Sequence, residues 1–203
     1  MFKKLILLFC ILFLITPTAF AAIDSGVNPI VLNTNQKVIG IFLEAPMTYV
    51  NNETVRQLIP EKSKEKLPSH LFKILPYEQT ETALRTYKED NRMIINQYYS
   101  QPVNRADIQK ICKELGAEYA LFITVNNSAP RVGAGLFTTS FRTTVSCDVR
   151  LLNVETGKYV FNKQIVKDGS STSFYAGVPS FERAYREALE KALDELTIDV
   201  TAL

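Results

Sequence analysis

The sequence predicts an α/β (α+β) fold: a mixed β-sheet with crossover helices, a long C-terminal antiparallel hairpin and a closing amphipathic helix. Three observations predict it. Val38–Leu43 and Tyr119–Val125 are continuous apolar runs of strand length, the pattern of strands covered on both faces. Val145, Cys147, Val149 and Leu151 then alternate with polar residues, the period of a strand with one dry face. Finally Phe181, Ala184, Tyr185, Ala188, Leu189, Ala192, Leu193 and Leu196 recur at helical spacing.

The elements follow in order. Val38–Leu43 is bounded by Pro46 and belongs in the centre of a sheet. Asn52 can cap a helix from Glu53 with Val55, Leu58 and Ile59 on its apolar side, and Pro60, which lacks an amide donor, predicts two short pieces rather than one long helix. Leu71–Leu75 is a second strand ending at Pro76, and Glu78–Asp90 is a helix with Ala83, Leu84 and Tyr87 inward. Met93–Tyr99 is assigned to helix. Asn104 caps the next helix, in which Ile108, Ile111, Cys112 and Leu115 form a stripe and Gly116 is the stop. With the strand from Tyr119 it makes half of a parallel crossover. Val154-Glu155-Thr156-Gly157 is the hairpin turn, and Tyr159–Val166 is the returning strand. Pro130–Ser140 and Gly169–Pro179 read as polar loops, and Ser180 caps the last helix.

Ahead of these elements stands the pattern of a cleavable export leader at Met1–Ala21. Lys3 and Lys4 are its positive end, Leu5–Ile15 its apolar run, and Ala19-Phe20-Ala21 its cleavage site. The expected mature start is Ala22, with residues 22–36 an extended lead-in and 37–203 a single domain. The leader is of bacterial type and predicts an exported protein of the periplasm, cell envelope or extracellular space. Removing Lys3 and Lys4 lowers the 23 basic residues to 21, equal to the 21 acids, so the mature chain is formally neutral. Its charges are interspersed, as in Glu61-Lys62-Ser63-Lys64-Glu65-Lys66, and nucleic acid is not an expected partner.

No motif predicts catalysis. Gly133-Ala134-Gly135 lacks the following helix and lysine of a phosphate loop, His70 is the single histidine, and no Gly-x-Ser-x-Gly occurs. Neither a metal nor a cofactor is expected. Cys112 and Cys147 fall on inward positions and read as small buried hydrophobes. The candidate recognition residues are Leu136, Phe137, Phe174 and Tyr175. They are apolar groups in the two polar loops, which emerge at one end of the hairpin if its strands pair; the alternative is that they fold back to cover the sheet edge.

Two segments carry a family resemblance. Glu114-Leu115-Gly116-Ala117-Glu118-Tyr119-Ala120-Leu121 and Val149–Val160, followed by the alanine-rich last helix, resemble the amino-terminal domain of TolB. They are similar also to CsgG and to envelope lipoproteins that activate penicillin-binding proteins. The resemblance implies a non-enzymatic accessory or adaptor domain that binds an envelope protein or a transport or wall-building machine. A subunit of an oligomeric CsgG-like secretion assembly is the alternative, and an unrecognised hydrolase a second one. Gly133–Val145 alternates poorly, so stable membrane insertion after leader removal is not expected.

Overall fold

The computed structural model describes residues 36–174 and 178–199. The predicted leader and nearly all of the lead-in lie outside the described residues, as does Tyr175. Among the described residues six strands form one mixed, curled sheet, accompanied by five helices, the first of them the single turn α1 (Met47–Val50). β1 (Lys37–Glu44) runs parallel to β2 (Phe72–Ile74) on one side and to β3 (Tyr119–Asn127) on the other. β5 (Thr138–Asn153) is antiparallel to β3, and β6 (Tyr159–Phe174) pairs with β5 along its whole length. The short β4 (Arg131–Ala134) continues along the edge of β5 where β3 stops.

Each face of the sheet has its own core. One is built on Ile39, Ile41, Leu121, Ile123, Val145, Cys147, Val149 and Ile165. It is closed by α2 (Glu53–Lys66) through Val55, Leu58 and Ile59 and by α5 (Phe181–Asp194) through Tyr185, Ala188, Leu189, Ala192 and Leu193. The other holds Phe42, Ala120, Phe122 and Leu152 under α4 (Arg105–Leu115) and α3 (Tyr77–Asp90), with the Phe42 and Phe122 rings stacked at 6.3 Å. On that second face the polar side chains of Thr144, Ser146, Asp148 and Arg150 are only partly covered, because α3 and α4 roof β1 and β3 and the end of β5.

The local signals act as expected at several places. The Asn104 side chain and Asp107 form a reciprocal capping box, and Gly116 ends α4 at φ 69°. Gly157 occupies the hairpin turn at φ 66°. The parallel pairing of β1 and β3 matches the predicted crossover.

Four expectations are corrected. Pro60 does not split its helix: α2 is continuous from Glu53 to Lys66. One lost backbone bond is outweighed because Val55, Leu58, Ile59 and Ser63 bury residues on both sides of the proline. Met93–Tyr99 is not helical. The Asn96 carboxamide oxygen accepts the amides of Tyr98 and Tyr99 at 2.9 and 2.8 Å, and Ile95 bridges Ser100, so a local side-chain bond replaces the helical ladder. The loop assigned to Pro130–Ser140 contains β4 and the first residues of β5. The loop assigned to Gly169–Pro179 is strand as far as Phe174. Both stretches are rich in Ser, Thr and Gly, so no apolar alternation marks them, yet their backbones complete the hairpin ladder.

Candidate functional site

Two places combine exposure with chemistry. The first is the far end of the hairpin. Thr138 faces Phe174 across the ladder, and Leu136 and Phe137 lie in the turn that joins β4 to β5. Three of the four sequence candidates therefore meet at one end, and the fourth, Tyr175, is outside the described residues. Leu136 is 89 %, Phe137 60 % and Phe174 68 % exposed, and Val132 and Val178 are exposed too.

The second is a cleft of about 310 Å³ where β1 ends. Leu43, Ala45, Met47 and Val50 form one wall, Leu84 and Lys88 of α3 another, and Met93, Ile95 and Ser100 the lip. At its base Lys88 pairs with Glu44, each side chain only 4 % exposed. The Lys88 ammonium also donates to Ser100 Oγ at 2.7 Å and to the Gln101 carbonyl at 2.8 Å, while Glu44 accepts the Val103 amide at 3.3 Å. Burial pushes the Glu44 carboxyl above its ordinary range, against the lowering effect of Lys88, the Val103 amide and the charge of Arg150. All three ammonium protons of Lys88 have acceptors, so the group fastens the 96–101 segment over the cleft and is not set up as a base or nucleophile. Sequence reasoning missed this pair. The signal was present: Thr80, Leu84 and Lys88 share one helical stripe, and Glu44 ends an apolar run.

Among the described residues no three His, Cys, Asp or Glu side chains converge as metal ligands. Cys112 and Cys147 are buried free thiols, both pushed up to about 12 by burial. They lie in the two different cores, with the sheet between them. No helix of the described residues is long and apolar enough to cross a membrane.

The two motifs behind the family resemblance meet at the near end of the hairpin. The Glu118 amide donates to the Val38 carbonyl at 2.8 Å, its carboxylate accepts the Val38 amide at 3.0 Å, and its carbonyl accepts the Val154 amide at 2.9 Å. Asn153 Oδ1 accepts the Thr156 amide at 2.9 Å, and Gln109 donates to the Val154 carbonyl at 2.8 Å. These residues join strands.

No family model and no curated protein sequence matches the chain. Among solved structures it is similar to the LpoB C-terminal domain from Salmonella enterica, at 15 % identity over 66 % of this chain and 83 % of that one, TM-score 0.30. It is similar also to lipoprotein GNA1162 from Neisseria meningitidis, at 17 % identity over 78 % and 95 %, TM-score 0.37. A third is the protein CT253 from Chlamydia trachomatis, at 11 % identity over 79 % and 91 %, TM-score 0.36. None of the three is described as a TolB or CsgG domain.

Proposed function

We propose that the chain is an exported, non-enzymatic accessory or adaptor module of the cell envelope that docks another envelope protein through the far end of its hairpin. The observation that carries this reading is the group of exposed apolar side chains, Leu136, Phe137 and Phe174, held at the end of a long two-stranded arm. A fold that needed these groups for its own stability would bury them, and apolar side chains gathered at one exposed place are the usual mark of a contact surface. The leader pattern and the TolB-like and CsgG-like motifs supply the envelope setting and the adaptor role.

A photo-crosslinking residue placed at Leu136 tests this in cells. It should capture one defined envelope protein, while the same residue at Glu61, on the charged outer side of α2, should capture none. With the crosslinking residue kept at Leu136, replacing Phe137, Phe174 and Tyr175 by Ser should abolish capture and leave the melting temperature unchanged. A large drop in melting temperature would assign the residues to the fold instead and remove the proposal.

A further inference from the structure

Behind the apolar end, a different chemistry occupies one face of the hairpin. Arg131 of β4 and Arg142 of β5 are register partners in an antiparallel ladder, so their side chains leave the same face of the sheet side by side. Neither has an ion-pair partner among the described residues. Like charges directly opposed across a ladder destabilise it, so this placement costs stability unless something anionic sits between them.

The surroundings make a receptor for such a group. The arginines line an open cavity of about 590 Å³ with Gly133, Ser140 and Lys191. Gly133, the next residue on that face of β4, leaves a floor that a methyl group would fill, since a Cβ there would come within 2.8 Å of Ser140 Oγ. Lys191 reaches over the edge of β6, held by Glu187 at 2.6 Å and the Asp168 carbonyl at 3.3 Å. Asp168 is the one carboxylate in the lining, and its Oδ1 is occupied by the Thr144 hydroxyl at 2.6 Å. The cavity thus presents two guanidinium forks without an ion-pair partner, the Ser140 hydroxyl and an excess of positive over negative side chains, with Asp168 as the one anionic group of the lining.

The occupant follows from the forks. Each guanidinium offers parallel N–H donors to a pair of oxygens. A carboxylate, with two oxygens and one charge, saturates a single fork. A phosphate group has enough oxygens and charge for both. We infer that Arg131 and Arg142 form a two-fork binding site for a phosphate group, free in solution or carried on a lipid headgroup. The site uses none of the apolar end residues, so it stands apart from the docking reading.

The test uses the full processed chain. Inorganic phosphate should raise its melting temperature more than chloride at equal ionic strength. Arg142→Gln should weaken phosphate at least about tenfold, as removal of one fork requires, and Arg142→Lys should also weaken it because the charge stays but the fork is lost. The Leu136, Phe137 and Phe174 serine variant should respond like the parent. Without phosphate at low salt, Arg142→Gln should melt roughly 1–3 °C higher than the parent, through loss of the like-charge contact. Flotation with vesicles of phosphatidylglycerol in phosphatidylcholine, against phosphatidylcholine alone, separates the sources. Co-flotation with the anionic vesicles, lost in the Arg131→Gln, Arg142→Gln double variant, assigns a headgroup; a response to free phosphate alone assigns a soluble ligand. Equal effects of chloride and phosphate, or a double variant that still responds, would overturn the site.

Discussion

The two ends of the hairpin are built differently. At the near end, where Tyr119 pairs with Asn153, side chains specify the geometry: Glu118 bonds to Val38 and Val154, Asn153 organises the turn, and Gly116 and Gly157 supply left-handed backbone. At the far end, where Thr138 pairs with Phe174, the strands run on as a backbone ladder whose side chains are largely polar and only partly covered, with Thr143 and Ser171 buried on one face. The contrast teaches where sequence is committed. Residues that close the fold are tied into several strands at once, whereas Leu136 and Phe174 at the far end stand largely exposed.

Substitutions can break this comparison. The largest effect belongs at Gly169, midway along the arm, where α5 crosses β6. A Cβ there would lie 1.9 Å from the Ala184 carbonyl oxygen and 2.6 Å from the Ala188 amide nitrogen, so Gly169→Ala should cost about 4 kcal/mol, near the limit for a single change. At the far end, Gly133→Ala meets only the rotatable Ser140 hydroxyl and should stay within about 0.5 kcal/mol. Equal losses in urea titrations of the two would show that the part of the arm packed under α5 is no more constrained than its far end.

Next comes the buried pair beside the arm. Glu44→Gln leaves the Lys88 ammonium buried without its counter-charge and should cost about 3 kcal/mol by chemical denaturation. Changing both to apolar residues, Glu44→Leu with Lys88→Met, should recover most of that loss, because it removes the desolvation of both charges. A double variant as damaged as the single one would mean that the bonds to Ser100, Gln101 and Val103 are what hold the lip.

A smaller effect is expected at the near-end glycines. Gly116→Ala and Gly157→Ala place a Cβ on left-handed backbone and should each cost about 1–2 kcal/mol, more at Gly157, where the Gln109 amide is within 3.1 Å. The smallest concerns pH. The Val38 amide above all, helped by Lys37, holds the Glu118 carboxyl below its ordinary range against the opposing effect of desolvation. Its folded value is therefore lower than its unfolded one, so its contribution is present above the ordinary carboxylate range and is lost as pH falls through the lowered value. Glu118→Gln should flatten that part of the stability profile between neutral and acid pH. An unchanged slope would detach the acid from the near-end joint.

Much of this architecture could be read before any coordinates. Asn104 and Gly116 bracketed α4, the apolar runs located β1 and β3, and the stripe of α5 located the face that docks on the sheet, because each expresses a local propensity and burial together. The far half of the arm could not be read this way. Thr139, Ser140, Ser171 and Ser173 belong to strands held by backbone pairing, which leaves no hydrophobic period to detect. Pro60 misled because tertiary burial overrode one missing donor, and Met93–Tyr99 because Asn96 captured its own neighbours. Of the candidate site, Leu136, Phe137 and Phe174 were legible as apolar groups in polar surroundings. The facing arginines were not, since which residue of β4 opposes which residue of β5 is a matter of register.

The placement of the two cysteines in separate cores sets a condition on how the chain would fold wherever its surroundings are oxidising. Once the sheet exists, Cys112 and Cys147 have a wall of strands between them and cannot be joined. A bond linking them can be made only by a chain that has not yet assembled that wall, and having been made, it forbids assembly. The pair therefore works as a clock: the fraction of cross-linked product records how often oxidation outruns folding, and the native molecule is by construction the reduced one.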